Sequence, residues 1–183
     1  MDNGSIITLY HGSIYDFEKI DVDKGKPYKD FGRGFYTSRT EQHASSLALR
    51  NKEIQQVRNA LRGIKDNISS WLYTYEFDLQ KMDFLNVKEF VHPDSEWMRF
   101  VVLNRMSRTR QHNYDIVIGA TANDNTRASI QTVISAAGGQ ALSDRAIDAL
   151  IALVEPDNLP QQYFFGAQRA ADLLQLIGRR IIR

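Results

Sequence analysis

The chain has 183 residues and a mass of 21.0 kDa, the size of one ordinary domain, and its 43% hydrophobic and 10% aromatic content excludes intrinsic disorder. Its 23 Lys and Arg nearly balance its 22 Asp and Glu, so a globally basic nucleic-acid binder is excluded, while a local basic patch stays open. Cysteine is absent, which removes disulfides, thiolate zinc sites, iron–sulfur ligation and thiol catalysis, and His11, His43, His92 and His112 form no i,i+4 pair, so no metal is expected.

In chain order, Ser5–Tyr10 is β-branched and apolar, a short strand expected to end at His11-Gly12-Ser13. Residues 14–30 carry alternating charges with Gly25 and Pro27 and read as an exposed loop. Gly32-Arg33-Gly34 leads into a second strand, Phe35–Ser38, in which Tyr36 faces away from Phe35 and Thr37. Thr40 is the expected N-cap of a helix over 41–62, with Ala44, Leu47, Ala48, Ile54, Val57 and Leu61 on one face and Gly63 as its stop. Ser70–Phe77 alternates aromatic and polar residues, a strand. Lys81–Val87 is expected to form another short strand. Pro93-Asp94-Ser95 opens a helix whose Trp97, Phe100, Val101 and Asn104 share a face.

Tyr114–Gly119 is a nearly continuous apolar strand suited to a sheet interior. Helices are expected over 125–137 and 143–154, the latter capped by Ser143. Pro160–Phe165 reads as a last strand and Ala167–Ile177 as a closing helix. Strands and helices follow no regular β-α-β rhythm, which predicts an α+β fold, a single domain over 1–183. No apolar run approaches the roughly 20 residues that span a bilayer. Met1–Ser5 lacks the basic-then-apolar pattern of a secretory signal, so a soluble, cytoplasmic protein is expected.

No Walker loop, zinc-protease helix or nucleophile elbow is present, and Gly32-Arg33-Gly34 opens a strand where a dinucleotide fingerprint opens a helix. Three segments remain: Leu9–Ser13, Asp30–Ser38 and Gln162–Phe165. Each sets a polar or aromatic group on a strand beside glycine or proline, a pattern suited to a cleft for a flat, polar ligand. Read singly, His11 and Tyr36 are ordinary strand or core residues, and Gln162 an amide bonding nearby backbone. Arg33 either reaches a pyrophosphate or stays solvated, while Asp30 and Thr37 pin the loop through side-chain-to-backbone bonds. Caps and turns account most simply for Asn104-Arg105 and Asn123-Asp124-Asn125, and solvated faces for the basic runs at 105–110 and 178–183.

Taken in order, LYHGS, DFGRGFYTS, SEWMRFVVLNR, YDIVIGATANDN and QYFF resemble a bacterial family of unknown function placed among the ADP-ribosyltransferase-like folds, over residues 8 to 177. The resemblance implies a split β-sandwich holding NAD as co-substrate in the cleft between its halves, with no metal. By that likeness His11 bonds the adenosine-side ribose, the Gly12 backbone clamps the nicotinamide amide, and Tyr36 stacks on the nicotinamide ring. Ser13 and Arg33 join the nucleotide-binding set.

The family's third position normally holds a glutamate, which meets the nicotinamide-side ribose and stabilises the oxocarbenium-like transition state. Here the residue is Gln162, which accepts a hydrogen bond but carries no charge and is no base. Three outcomes stay open: Gln162 suffices for a slow enzyme, another carboxylate (Glu96, Asp115 or Asp124) enters the cleft, or the site binds a nucleotide without turning it over. The implied activity is transfer of ADP-ribose from NAD to a macromolecular acceptor, protein or nucleic acid, as a toxin with an antitoxin partner or as a delivered effector. The alternative is a sensor or regulatory module on the same fold.

Overall fold

In the longest strand, β3 (Ser70–Asp78), the 2.0-residue period sends Trp71, Tyr73, Tyr75 and Phe77 to one face, and Ser70, Leu72 and Thr74 to the other. Its antiparallel neighbour β1 (Ile6–Ser13) sets Ile7 opposite Phe77, Leu9 opposite Tyr75 and His11 opposite Tyr73, so these three share the aromatic face. The computed structural model describes residues 5–122, 124–138, 142–153 and 159–183. With β2 (Phe35–Ser38), β4 (Val87–Glu89), β5 (Ile116–Ala120), β6 (Gln161–Phe165) and β7 (Gln175–Ile182), the strands form one seven-stranded sheet in the order β4-β5-β6-β2-β1-β3-β7. β4 and β5 run parallel and the other pairs antiparallel. The flanking helices make this an α+β fold, as expected.

The sheet folds over on itself. Phe77 of β3 and Phe165 of β6 lie three strand intervals apart in hydrogen-bonded order, about 14 Å in a flat sheet. Yet their rings meet edge to face with centroids 5.4 Å apart. The enclosed core joins Leu9, Phe35, Tyr73, Tyr75, Phe77, Ile116, Ile118, Tyr163 and Phe165. Burying a phenylalanine of this kind contributes about 1.5–3 kcal/mol, which holds the two halves of the sheet together. The outer face is covered in two separate patches. Helix α1 (Glu41–Leu61) lays Ala44 and Ala48 on Leu72 and Ile182. Helices α2 (Ser95–Met106), α3 (Asp124–Ala136) and α4 (Asp144–Ala152) join a second cluster around Phe31, Trp97, Val117 and Phe164.

Local chemistry accounts for the boundaries. Asp94 caps α2 by accepting from Trp97 N–H, and Ser143 caps α4 by accepting from Ala146 N–H. Thr40 occupies the N-cap position of α1 but makes no side-chain bond there.

Four expectations change. β1 does not end at Tyr10 but runs on through His11-Gly12-Ser13. The α1 face holds only at its start: Ala44 and Ala48 are buried, while Ile54, Val57 and Leu61 are exposed at 42%, 61% and 84%. At 21 residues, or about 30 Å, the helix outruns the sheet beneath it. The strand expected over Lys81–Val87 is instead a 3₁₀ helix, Leu79–Phe84, entered by an Asp78 carboxylate that accepts from Gln80 N–H. Leu79, Met82 and Leu85 reach the core at intervals of three, the 3₁₀ period. The closing helix shrinks to α5 (Gln168–Ala171), because Gln175–Ile182 pairs with the otherwise open edge of β3.

Candidate functional site

Gly12 explains how α1 reaches β1. A Cβ at this position would stand 1.9 Å from the Ala44 carbonyl oxygen and 3.0 Å from the Ala48 methyl, so only glycine admits the helix backbone. Beside it, β1 and β2 pair at Tyr10 and Ser38. Toward the end of β1 the bridge between the strands is a side chain: His11 Nδ1 lies 2.6 Å from the Tyr36 carbonyl oxygen. The imidazole stacks on Phe35 with ring centroids 4.3 Å apart and meets Phe17 in a T-shaped contact with centroids 5.7 Å apart.

Burial lowers the His11 pKa to about 4, and the carbonyl bond offsets only part of that. The ring is therefore neutral near pH 7. With the proton on Nδ1 and donated to Tyr36, Nε2 is left as an acceptor. His112 shows the opposite tautomer. Its Nδ1 accepts from Tyr114 N–H at 3.2 Å, so Nε2 donates to the Phe31 carbonyl at 2.9 Å.

Tyr36 leaves β2 on the other face of the sheet, packed on Phe164 at 5.0 Å and half-buried. Its hydroxyl donates to Gly32 O (2.6 Å) and accepts from Phe31 N–H (3.0 Å), fastening the 30–34 loop to the start of the strand. Gly32 takes a φ of +83°, a conformation that favours glycine. Burial, and then the Asp30 charge, raise the Tyr36 phenol well above its ordinary value, so it stays protonated.

Gln162, on β6 opposite Ser38, shares the Tyr36 face and is only 6% exposed. Its amide nitrogen donates to Asp30 Oδ2 at 3.0 Å and to Ala120 O at 3.2 Å. With the nitrogen committed, only its carbonyl oxygen can serve a ligand. Asp30 is itself the hub of a buried network. It accepts from Arg105 through Nε (2.7 Å) and Nη2, and from Ala122 N–H (3.1 Å).

β6, β2 and β1 are consecutive in the sheet, so the strands bearing Gln162, Tyr36 and His11 are neighbours. The Tyr36 and Gln162 side chains lie on one face, and the His11 ring lies on the other, tied back to β2 through the Tyr36 carbonyl. Ser13 is buried, and its hydroxyl accepts from Tyr15 N–H at 2.9 Å. Arg33 reaches the Asp23 carbonyl at 3.5 Å.

Of the three carboxylates considered as substitutes, Glu96 pairs with Lys88 at 2.5 Å on the exposed side of α2. Asp115 is buried against Arg169 (2.9 and 2.5 Å) and Asn86 N–H (2.8 Å). Burial alone would raise the Asp115 carboxyl, but these partners hold it below its ordinary value. The Asp124 side chain and Asn123 lie outside the described residues. Among the described residues no helix is long and apolar enough to cross a membrane.

The Asp30–Arg105 pair is the element that sequence reading missed. Asp30 is expected to pin its own loop and Arg105 to end a helix, but the Asp30 carboxylate instead accepts from the distant Ala122 N–H and from Arg105. The 75-residue separation between the two left no local signal that they meet.

A seven-stranded, folded-over α+β sheet with polar groups gathered around β1, β2 and β6 defines the class of protein. The chain belongs to a family described as protein of unknown function (DUF3990), whose model matches residues 7–176. Comparison with curated proteins and with solved structures gives no match.

Proposed function

We propose that the protein has an ADP-ribosyltransferase-like fold and transfers ADP-ribose from NAD to a macromolecular acceptor. The observation that carries the reading is the place where β1 and β2 are bridged by His11 instead of a further backbone pair, with Tyr36 and Gln162 on the next two strands. A sheet folded over, with its strands joined this sparsely beside a glycine backbone, suits the split sandwich that the sequence resembles.

In this reading His11, on the opposite face of the sheet, ties β1 to the Tyr36 carbonyl and so positions the strand that carries the Tyr36 ring. Tyr36 supplies a half-buried ring edge at the nicotinamide end, and the Gln162 carbonyl oxygen faces developing positive charge at the ribose C1′ atom. The C1′–nitrogen bond breaks with its electron pair leaving on nicotinamide, and an acceptor nucleophile bonds C1′ and gives up its proton. Asp30 supports the third position from behind. A carboxylate accepting from the amide N–H polarises Gln162 toward a more negative oxygen, a neutral substitute for a carboxylate. Toxin or effector roles, with an antitoxin partner, follow from family likeness and not from the site.

A second reading, a nucleotide-binding module without turnover, is favoured by one observation: Gln162 carries no charge, and Asp30 beside it is held by Arg105. The deciding experiment incubates the protein with labelled NAD and a cell lysate, alongside the Tyr36→Ala variant. Label transfer that the variant loses supports the enzyme. NAD-induced thermal stabilisation with neither transfer nor nicotinamide release supports the module.

A further inference from the structure

Among the described residues, five arginines meet carboxylates: Arg99 with Asp144, Arg105 with Asp30, Arg169 with Asp115, Arg179 with Asp16 and Arg180 with Glu41. Arg33, Arg108 and Arg110 do not. They converge on one cavity of about 340 Å³, completed by Asp23, Thr109 and Gly166. Three guanidinium groups against one carboxylate leave the cavity lining at +2.

Two of the three are held in place. The Arg110 side chain lies against Gly32, and its guanidinium donates to the His112 carbonyl (3.0 Å) and to the Gly166 carbonyl. Arg33 stands in the loop that the Tyr36 hydroxyl fastens, and its buried Nε–H has no hydrogen-bond partner. An unpaired guanidinium donor is costly, and Arg33 lines the cavity with no carboxylate paired to it. Arg33 and Arg110 are half-buried and Arg108 is exposed, and three like charges line one cavity until an anion offsets them.

We propose that this cavity is a binding site for a phosphoryl anion, best filled by a diphosphate. Arginine forks match phosphate oxygens two at a time. A +2 lining is balanced by a dianion and only half balanced by a single carboxylate. The volume is at the small end of ligand cavities, the scale of an anionic group and not of a whole cofactor. The cavity sits at the end of the sheet where β6 finishes and β2 begins, the same end at which β1 reaches Ser13. The diphosphate can therefore be free or part of a dinucleotide seated along that edge. Anion binding in this cavity does not require NAD turnover.

The test is calorimetric titration of the intact protein with sodium pyrophosphate at low ionic strength. Wild type is expected to bind saturably with one site. Arg33→Gln/Arg108→Gln is expected to bind at least tenfold more weakly with an unchanged melting temperature, and Arg179→Gln, outside the cavity, to bind as wild type does. Absence of saturable binding by wild type overturns the proposal. So does unchanged affinity in the folded double variant. Repeating the titration in saturating NAD separates the sources. Competition assigns the site to the dinucleotide's diphosphate, and undiminished binding assigns it to a separate phosphorylated ligand. Arginine-dependent pyrophosphate binding by a protein that ignores NAD keeps the anion site and removes the NAD reading. NAD binding without pyrophosphate binding does the reverse.

Discussion

His11 and His112 are both neutral because burial takes their pKa values from 6.5 down to about 4. A depressed folded-state value means that the unfolded chain binds more protons between pH 6.5 and 4. Stability from these residues is thus complete above pH 6.5 and lost as pH falls toward 4. Asp115, held below its ordinary value of 3.8, contributes to acid sensitivity only below that window. The melting temperature should fall from pH 6.5 to 4, and His112→Gln should flatten that slope. An identical slope in the variant would show that His112 does not titrate differently in the folded state.

Gln162 makes a sharper case. In the sequence, Gln162→Glu looks like the restoration of a missing carboxylate that should raise turnover. In the structure the new carboxylate would face Asp30, which now accepts from the amide at 3.0 Å. Two buried carboxylates in contact repel until one takes up a proton. The single variant should therefore lose about 1–3 kcal/mol in urea unfolding at pH 7, the scale of a broken buried hydrogen bond, with the loss shrinking toward pH 5. A variant as stable as wild type at pH 7 would mean that the Gln162–Asp30 bond does not form.

Elements were legible in the sequence where local period and burial agree. β3 alternates cleanly because one face is core, and α2 is framed by Asp94 and its apolar stripe. The misreadings arise where packing overrides pattern. The alanines and leucines of 167–177 read as helix, but the open edge of β3 recruits 175–182 as a strand. The apolar residues of α1 read as one buried face, but the sheet underneath ends before Ile54. Val57→Lys and Leu61→Lys should each change stability by no more than about 0.5 kcal/mol, as exposed substitutions do. A loss of 2 kcal/mol in thermal or urea unfolding would place that half of the helix against a surface.

At the scale of the whole molecule, the fold-over was not legible because it depends on contacts such as Phe77 with Phe165, 88 residues apart in numbering (165 − 77). The same is true of the site. LYHGS, GFYTS and QYFF mark three strands, yet nothing in the order β1, β2, β6 along the chain says that they become neighbours. Nor does any local pattern place His11 across the sheet from Tyr36, or set Asp30 behind Gln162. What the sequence does carry is the glycine at position 12, which permits the close approach of α1, and the 32–34 loop that Tyr36 secures.

In the proposed function NAD seats where β1 and β2 are joined through His11. Backbone amide NMR spectra recorded as NAD is added test it most directly. Saturable shifts concentrated at His11–Ser13 and Tyr36–Thr37, abolished in Tyr36→Ala, are expected. Unmoved amides at these positions in millimolar NAD, or shifts confined to another part of the sheet, would contradict it.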